Sequence, residues 1–122
     1  MSSPQQYQRG DVLLADLPFA DVVQSKLRPV LVVQDNVANR LRENLIVVAF
    51  SSRVPPRPLP TQYRVEVSSQ LAQRAGLVRD CVVDCGVIHT IAKSRIRRKI
   101  GSFTSEAMNE IDHCLRISLA LT

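Results

Sequence analysis

Three short apolar runs in the first 50 residues most constrain how this chain can fold. They span residues 11–16, 28–34 and 45–50, and each is nearly continuous in apolar character. Such runs are typical of strands that are buried on both faces or that close into a barrel. The connections between them are too short for parallel crossovers, so we expect antiparallel pairing.

The middle of the chain predicts a loop and then another strand. Four prolines between Pro55 and Pro60 mark the loop. Residues 63–67 then alternate with period two, which places Tyr63, Val65 and Val67 on one face. This segment is therefore predicted to be a half-buried strand.

The last third predicts two more strands and two helical segments. Residues 68–74 favour one or two helical turns that end at Gly76. Strands are predicted at residues 81–91 and 97–103. From Thr104, an N-cap residue type, apolar positions recur at helical spacing and predict an amphipathic helix of about four turns. The fold class is therefore α+β: a small, curled antiparallel β-barrel with a C-terminal helix.

Length and charge limit the organisation and the partners. The 122 residues predict one domain, residues 1–122, with residues 1–8 as a flexible N-terminus. Lys and Arg number 16 against 11 Asp and Glu, and this excess favours a polyanionic partner such as nucleic acid. Aromatic residues make up only 4%, which excludes the stacking platforms of many single-strand binders. With no membrane-span or signal-peptide pattern, we expect a cytoplasmic protein.

Three cysteines, Cys81, Cys85 and Cys114, form an odd set without an export signal, which favours reduced thiols packed as small apolar groups. Cys81, Cys85 and His89 are spaced by four, and on a helix they would form a metal-binding face. The surrounding sequence is rich in Val and Ile and predicts a strand, where residues four apart are about 13 Å from each other. We therefore expect no metal site.

Four motifs occur in a fixed order along the chain. They are RGDVLLADL at residues 9–17, RPVLVVQDNVANR at 28–40, IVVAFSS at 46–52 and ISLAL at 117–121. Together they make the chain resemble the MazF/PemK/Kid toxins of bacterial type II toxin-antitoxin modules, over residues 9–121. The resemblance implies an SH3-like barrel of the CcdB/MazF type. It also implies a ribosome-independent, sequence-specific endoribonuclease that uses no metal or other cofactor and leaves cyclic phosphate and 5′-hydroxyl ends.

Arg28 and Ser51 are the residues on which this chemistry would depend. Metal-free phosphoryl transfer needs a cation for the developing charge and a hydroxyl or amide for a nonbridging oxygen. By resemblance, Arg28 is the principal catalytic residue, and Ser51 stands where the family usually has Thr. From composition alone, Arg28 would be interpreted as an ordinary surface arginine. The order of the four motifs instead favours a catalytic role for Arg28. Whether Ser51 or Ser52 faces the phosphate stays open.

His89 marks a departure from the family pattern. Kid- and PemK-like members carry Arg-x-x-Asp in the fifth major strand, where this chain has His89 and Ala92, and Val87 replaces a frequent Gln. We predict that His89 replaces the Arg as an acid-base group, because imidazole titrates near neutral pH. The alternative is a strand-edge histidine bound to backbone.

Further RNA contacts are expected around the loop at residues 18–26, which matches the family's mobile loop over the site. Lys26 is a candidate to bind phosphate, and Gln24 and Ser25 are candidates to donate hydrogen bonds to base edges. Ser52 and Arg53 are further candidates for contact with the RNA strand. The basic run at residues 93–99 either follows an RNA backbone or is a solvated face.

The resemblance also implies partners. Members form two-fold homodimers whose paired barrels create the RNA groove, and a flexible, acidic antitoxin segment blocks it. Two other functions remain open. The His89 and Ala92 departure suggests a barrel that binds RNA or antitoxin without turnover. A gyrase poison like the related CcdB toxins is less favoured, because Arg28, Pro29 and Ser51 match the nuclease branch.

Overall fold

The computed structural model describes residues 6–18 and 25–122. Its centre is a six-stranded antiparallel sheet with the strand order β4-β5-β3-β2-β1-β6. The strands are β1 (Asp11–Pro18), β2 (Ser25–Val32), β3 (Asn44–Ser51), β4 (Gln62–Val65), β5 (Cys81–Ala92) and β6 (Ile96–Ser102). The helices are α1 (Asn36–Leu41), α2 (Gln70–Ala75) and α3 (Ser105–Ser118), and a 3₁₀ turn covers Lys93–Arg95. The predicted antiparallel α+β fold is confirmed.

The central strands are buried on both faces, as their continuous apolar runs predict. Neighbouring residues enter two different cores: Leu31 and Val48 pack with the helices, whereas Val30 and Val47 pack on the other face. All four are inaccessible to solvent. Because side chains alternate along a strand, both faces of the sheet need apolar cover.

The C-terminal helix begins where its sequence predicts. The Thr104 hydroxyl accepts a hydrogen bond from the Ala107 amide, which satisfies one of the free donors of the first turn. Met108, Ile111 and Cys114 are buried at helical spacing against the sheet. Burial of this one face holds α3 on the sheet.

The second helix lies against the edge strand β6. Ser69 caps its start, and Gly76 ends it with a left-handed φ of 72°, a conformation that glycine adopts without steric cost. A Cβ at Gly101 of β6 would overlap the Arg74 carbonyl and Ala75 of α2. The two glycines thus allow helix and strand backbones to come into close contact.

The structure differs from the sequence-based prediction at two places. Helix α1 was not predicted; it forms because the Asp35 carboxylate accepts from the Val37 and Ala38 amides at the start of the helix. The strand predicted for residues 63–67 ends at Val65, and Val67 is 41% exposed. Its amide donates instead to the Asp80 carboxylate, which takes this residue out of the ladder.

The predicted flexible N-terminus at residues 1–8 falls partly outside the described residues, because residues 1–5 are not covered. Tyr7 is buried in the core of Leu13 and Val30, and the Gln8 amide donates to the Asp11 carboxylate. Among the helices of the described ranges, none has the length and apolar character to span a bilayer.

Candidate active site

A groove opens where the two central strands separate. Strand β2 pairs with β1 from Ser25 to Leu31, but with β3 only through the pairs of Val30, Leu31 and Val32. The ladder with β3 stops at Pro29, whose nitrogen carries no hydrogen to donate. Beyond that point the strands are free to diverge.

The groove has a volume of about 460 Å³, and its charged lining is entirely cationic. Its charged residues are Lys26, Arg28, Arg79 and Arg98, and no Asp or Glu is among the described residues that line it. The rest of the lining is Leu14, Leu27, Pro29, Phe50, Ser52, Gly76, Leu77, Val78, Cys81 and Ile100. A groove whose described charged lining is cationic is attractive to an anion.

Arg28 stands at the mouth of this groove. Its side chain is partly buried, and its Nε atom is shielded from solvent. Pro29 restricts the backbone of Arg28 to extended conformations, so the guanidinium emerges from a fixed strand. A planar guanidinium held in this way can contact a phosphate through two N–H groups.

The two serines at the end of β3 have different surroundings. Ser51 is the last residue of β3, is partly buried and is not among the described residues that line the groove. The Ser51 hydroxyl oxygen accepts from the Arg53 amide at 3.2 Å, which leaves its own hydrogen available to donate. Ser52 is exposed and lines the groove.

The other predicted RNA contacts are only partly described. Lys26 is exposed and lines the groove. Gln24 lies outside the described residues, and Ser25 is described only as the first residue of β2. Arg53 is exposed and is not among the residues that line the groove.

His89 lies in another part of the sheet. It pairs with Val47, whereas Ser51 of the same strand pairs with Val82. Val47 and Ser51 are four residues apart on β3, which corresponds to about 13 Å. His89 is exposed and does not line the groove, and Ala92 lies still farther along β5. The structure therefore places Arg28, Lys26 and Ser52 on one groove, whereas Ser51, Arg53 and His89 are not among the described residues that line it.

The three cysteines are buried free thiols. Burial raises the pKa of Cys81 to about 11 and that of Cys85 to about 12, with smaller contributions from nearby acidic groups. The neighbouring Cys114 thiol adds to the rise in the pKa of Cys85. In the part of the chain that the structure covers, no cluster of three His, Cys, Asp or Glu residues could hold a metal ion.

Arg79 and Arg98 are groove residues that sequence reasoning did not single out. Arg98 belongs to the basic run at residues 93–99, but no pattern in that run separates it from its neighbours. Arg79 follows the left-handed turn at Gly76 and has no local signal. The pairing of β6 with β1 places Arg98 on the same groove as Arg28, and the contact between α2 and β6 places Arg79 there.

A small curled sheet that carries a groove whose described charged residues are all cationic defines a class of protein: a barrel-like β-fold suited to a polyanion. Residues 8–119 match the model of a family described as the PemK-like, MazF-like toxins of type II toxin-antitoxin systems. The chain therefore belongs to this family, and the predicted resemblance is confirmed.

Individual relatives agree with this assignment. The chain is 40% identical over 114 residues to "Endoribonuclease EndoA" of Bacillus subtilis (strain 168), covering 93% of this chain and 94% of that relative. A solved structure described as an endoribonuclease in complex with its cognate antitoxin, from Mycobacterial species, is similar with a TM-score of 0.74 and 25% identity, covering 95% and 97% of the two chains. The MazE-MazF structure (Form-II) from Deinococcus radiodurans shares the fold, with a TM-score of 0.74 and 17% identity over 98% and 100%.

Proposed function

We propose that this chain is the toxin of a type II toxin-antitoxin module and acts as a metal-independent, sequence-specific endoribonuclease on single-stranded mRNA. The observation that carries the proposal is Arg28, held at the mouth of a groove whose four charged residues are all cationic. A relative that is 40% identical over nearly its whole length is named an endoribonuclease, which supports the same activity.

In the proposed reaction the ribose 2′-oxygen attacks the adjacent phosphorus. A bond from the 2′-oxygen to phosphorus forms, the bond to the 5′-oxygen breaks, and the 2′-hydroxyl proton is lost while the leaving 5′-oxygen gains one. The products are a 2′,3′-cyclic phosphate and a 5′-hydroxyl end. Charge accumulates on the nonbridging oxygens during this step, so groups that contact those oxygens lower the barrier.

Arg28 and Ser51 fit these roles as catalytic residues. The Arg28 guanidinium would neutralise the nonbridging oxygens through two N–H groups. The Ser51 hydroxyl, oriented by the Arg53 amide, would donate its hydrogen to one of them. Lys26 and Ser52 line the same groove and would bind the RNA strand on either side.

The expected partners are RNA, a cognate antitoxin and a second copy of the chain. The mycobacterial structural relative is described in complex with its cognate antitoxin. A net charge of +5 would complement an acidic antitoxin segment. We expect a homodimer in solution, which sedimentation of the purified protein measures, and a cytoplasmic location, where the RNA substrate is found.

The test is RNA cleavage in the presence of EDTA. Purified protein is incubated with a long RNA of mixed sequence, and the cut ends are mapped chemically. We expect discrete cuts with 5′-hydroxyl ends, and a loss of about 100-fold to 1,000-fold in rate for Arg28→Ala. Arg64→Ala, at an exposed position on β4, is the matched control and should retain the rate. Full activity of folded Arg28→Ala would exclude this mechanism.

A second function has its own observation in its favour. His89 and Ala92 replace the Arg-x-x-Asp of Kid-like members, and neither lines the groove. A barrel that binds RNA or antitoxin without turnover would bind the same RNA and yield no new 5′-hydroxyl ends. Binding without cuts by folded wild-type protein would therefore favour this function over the nuclease.

A further inference from the structure

We propose that Arg79 and Arg98 form a second phosphate-binding site in the groove, which holds an RNA backbone phosphate next to the scissile one. This inference rests on the proposed function, because it takes RNA as the occupant of the groove. It assigns a binding role to two residues outside the catalytic pair.

The structure divides the basic run at residues 93–99 by what each cation contacts. Arg97 pairs with the Asp16 carboxylate at 2.9 Å, and Lys99 pairs with the Asp11 carboxylate at 3.1 Å. Lys93 donates to the Asn39 carbonyl, and Arg95 donates to the Asp16 carbonyl. These four cations already have protein acceptors.

Arg98 differs from its neighbours. Its side chain is exposed, lines the groove, and forms no hydrogen bond or ion pair with any residue in the described ranges. Arg98 lies opposite Leu14 of β1, and Leu14 lies opposite Pro29 of β2. The Arg98 and Pro29 backbones are thus two strands apart, about 10 Å, so Arg98 reaches the groove from the wall opposite β3.

Arg79 enters the groove from a different element. The chain turns at Gly76 directly after α2, and a Cβ at this glycine would collide with the Ile100 carbonyl of β6. This close contact holds the start of the segment after α2 against β6, and Leu77, Val78 and Arg79 line the groove together with Ile100 and Arg98. Arg79 is exposed and likewise lacks a hydrogen bond or ion pair within the described part of the chain.

The surroundings of the two arginines suit a nucleotide. Val78 is 82% exposed, and with Leu77 and Ile100 it provides an apolar surface next to the cations. A phosphate would bind the guanidinium groups, and the attached sugar or base would cover the apolar surface. Because this surface is continuous with the mouth at Arg28, one RNA strand can occupy both sites.

The first experiment measures RNA binding in the Arg28→Ala background, where no cleavage interferes. The probe is a short RNA centred on a mapped cut, and its Kd is measured over a range of salt concentrations. Loss of one phosphate contact lowers the slope of log Kd against log salt by about 0.7 for a single strand. We expect Arg98→Gln and Arg79→Gln each to lower the slope by about this amount. Arg97→Gln, the neighbouring arginine paired with Asp16, should leave the slope unchanged.

The second experiment locates the phosphate. Each backbone phosphate of the probe is replaced in turn by an uncharged methylphosphonate. At one position near the cut, we expect the replacement to weaken binding about 5-fold or more in the Arg28→Ala background and to have no further effect once Arg98→Gln is present. In the active protein, Arg98→Gln should raise KM and leave kcat within about twofold.

The outcomes separate this inference from the proposed function. If wild-type protein cuts RNA but Arg98→Gln behaves like Arg97→Gln, the second phosphate site is wrong and the nuclease stands. If wild-type protein binds but does not cut, the nuclease is wrong, and the salt slopes of Arg98→Gln, Arg79→Gln and Arg97→Gln are then compared on the long RNA of mixed sequence. An effect of Arg98→Gln on antitoxin binding alone would overturn the inference. Unchanged thermal unfolding of each variant confirms that its fold is intact.

Discussion

Arg9, at the entrance to β1, and Asp112, in the middle of α3, form an ion pair with Nη2 and Oδ1 2.5 Å apart. The same guanidinium donates through Nε to the Val33 carbonyl at 2.9 Å. One arginine therefore connects the segment before β1, the end of β2 and the C-terminal helix. Arg9 and Asp112 are 103 residues apart in the sequence.

Asp112→Asn should lower the free energy of unfolding by about 1 kcal/mol, because it removes the charge from this pair. The two side chains are about a third exposed, so solvent screening keeps the loss small. Urea denaturation measures it. The control is Glu66→Gln, since Glu66 lies 3.9 Å from Arg64 in an exposed pair and should contribute about 0.3 kcal/mol or less. Equal losses in both variants would contradict a specific role for the Arg9 contact.

Ser51→Ala and Ser52→Ala should affect different kinetic parameters. In the proposed mechanism the Ser51 hydroxyl, at the end of β3, donates to charge that develops in the transition state, so Ser51→Ala should lower kcat about 10-fold to 100-fold. Ser52 lines the groove, and Ser52→Ala should mainly raise KM. Steady-state kinetics on one short RNA substrate measures both. A larger fall in kcat for Ser52→Ala would assign the catalytic hydroxyl to Ser52.

His89→Gln should leave the cleavage rate at neutral pH within about threefold. A general acid or base contributes about 100-fold or more, and His89 lies about 13 Å along the sheet from the register position of Ser51. Single-turnover cleavage measures the rate. A loss of about 100-fold, together with a changed pH profile, would instead support the sequence-based prediction that His89 transfers a proton.

Cys85 should make the fold less stable at alkaline pH. Burial raises the pKa of this thiol from 9.0 to about 12, so the folded state favours the neutral form. The resulting stabilisation is complete below about pH 9 and is lost as the pH rises toward 12, because the unfolded thiol ionises first. Between pH 8 and pH 11, the free energy of unfolding should therefore fall less in Cys85→Ala than in wild type.

The measurement for this prediction is urea denaturation at each pH. Lysines and tyrosines titrate in the same range, so only the difference between the two proteins is informative. A parallel fall in both would show that Cys85 has no part in the alkaline loss.

Most of the secondary structure could be predicted from local patterns. The central strands and helix α3 follow from runs of apolar residues and from the cap at Thr104, which depend only on neighbours in sequence. Helix α1 escaped prediction because it is six residues long and its apolar residues Val37 and Leu41 are exposed, so its clearest local signal is the Asp35 cap. The end of β4 was missed because it depends on the contact of Val67 with Asp80, 13 residues away.

The candidate site was predictable only in part. Arg28, Ser51, Ser52 and Lys26 were found through the motifs, and their roles stay predictions until the variants are measured. Arg79 was missed because nothing in its local sequence distinguishes it from other surface arginines. Arg98 was hidden in a basic run whose other cations bind acidic or carbonyl oxygens of the protein.

The sequence by itself determined the order of the strands, the C-terminal helix, the apolar cores on both faces of the sheet, and the family. These follow from side-chain periodicity and short motifs, which operate over a few residues. Only the tertiary structure decided which cations share one groove and which are neutralised. That outcome depends on Pro29 ending the β2–β3 ladder and on Gly76 and Gly101 letting α2 approach β6. Such contacts join residues far apart in the chain, and no local pattern encodes them.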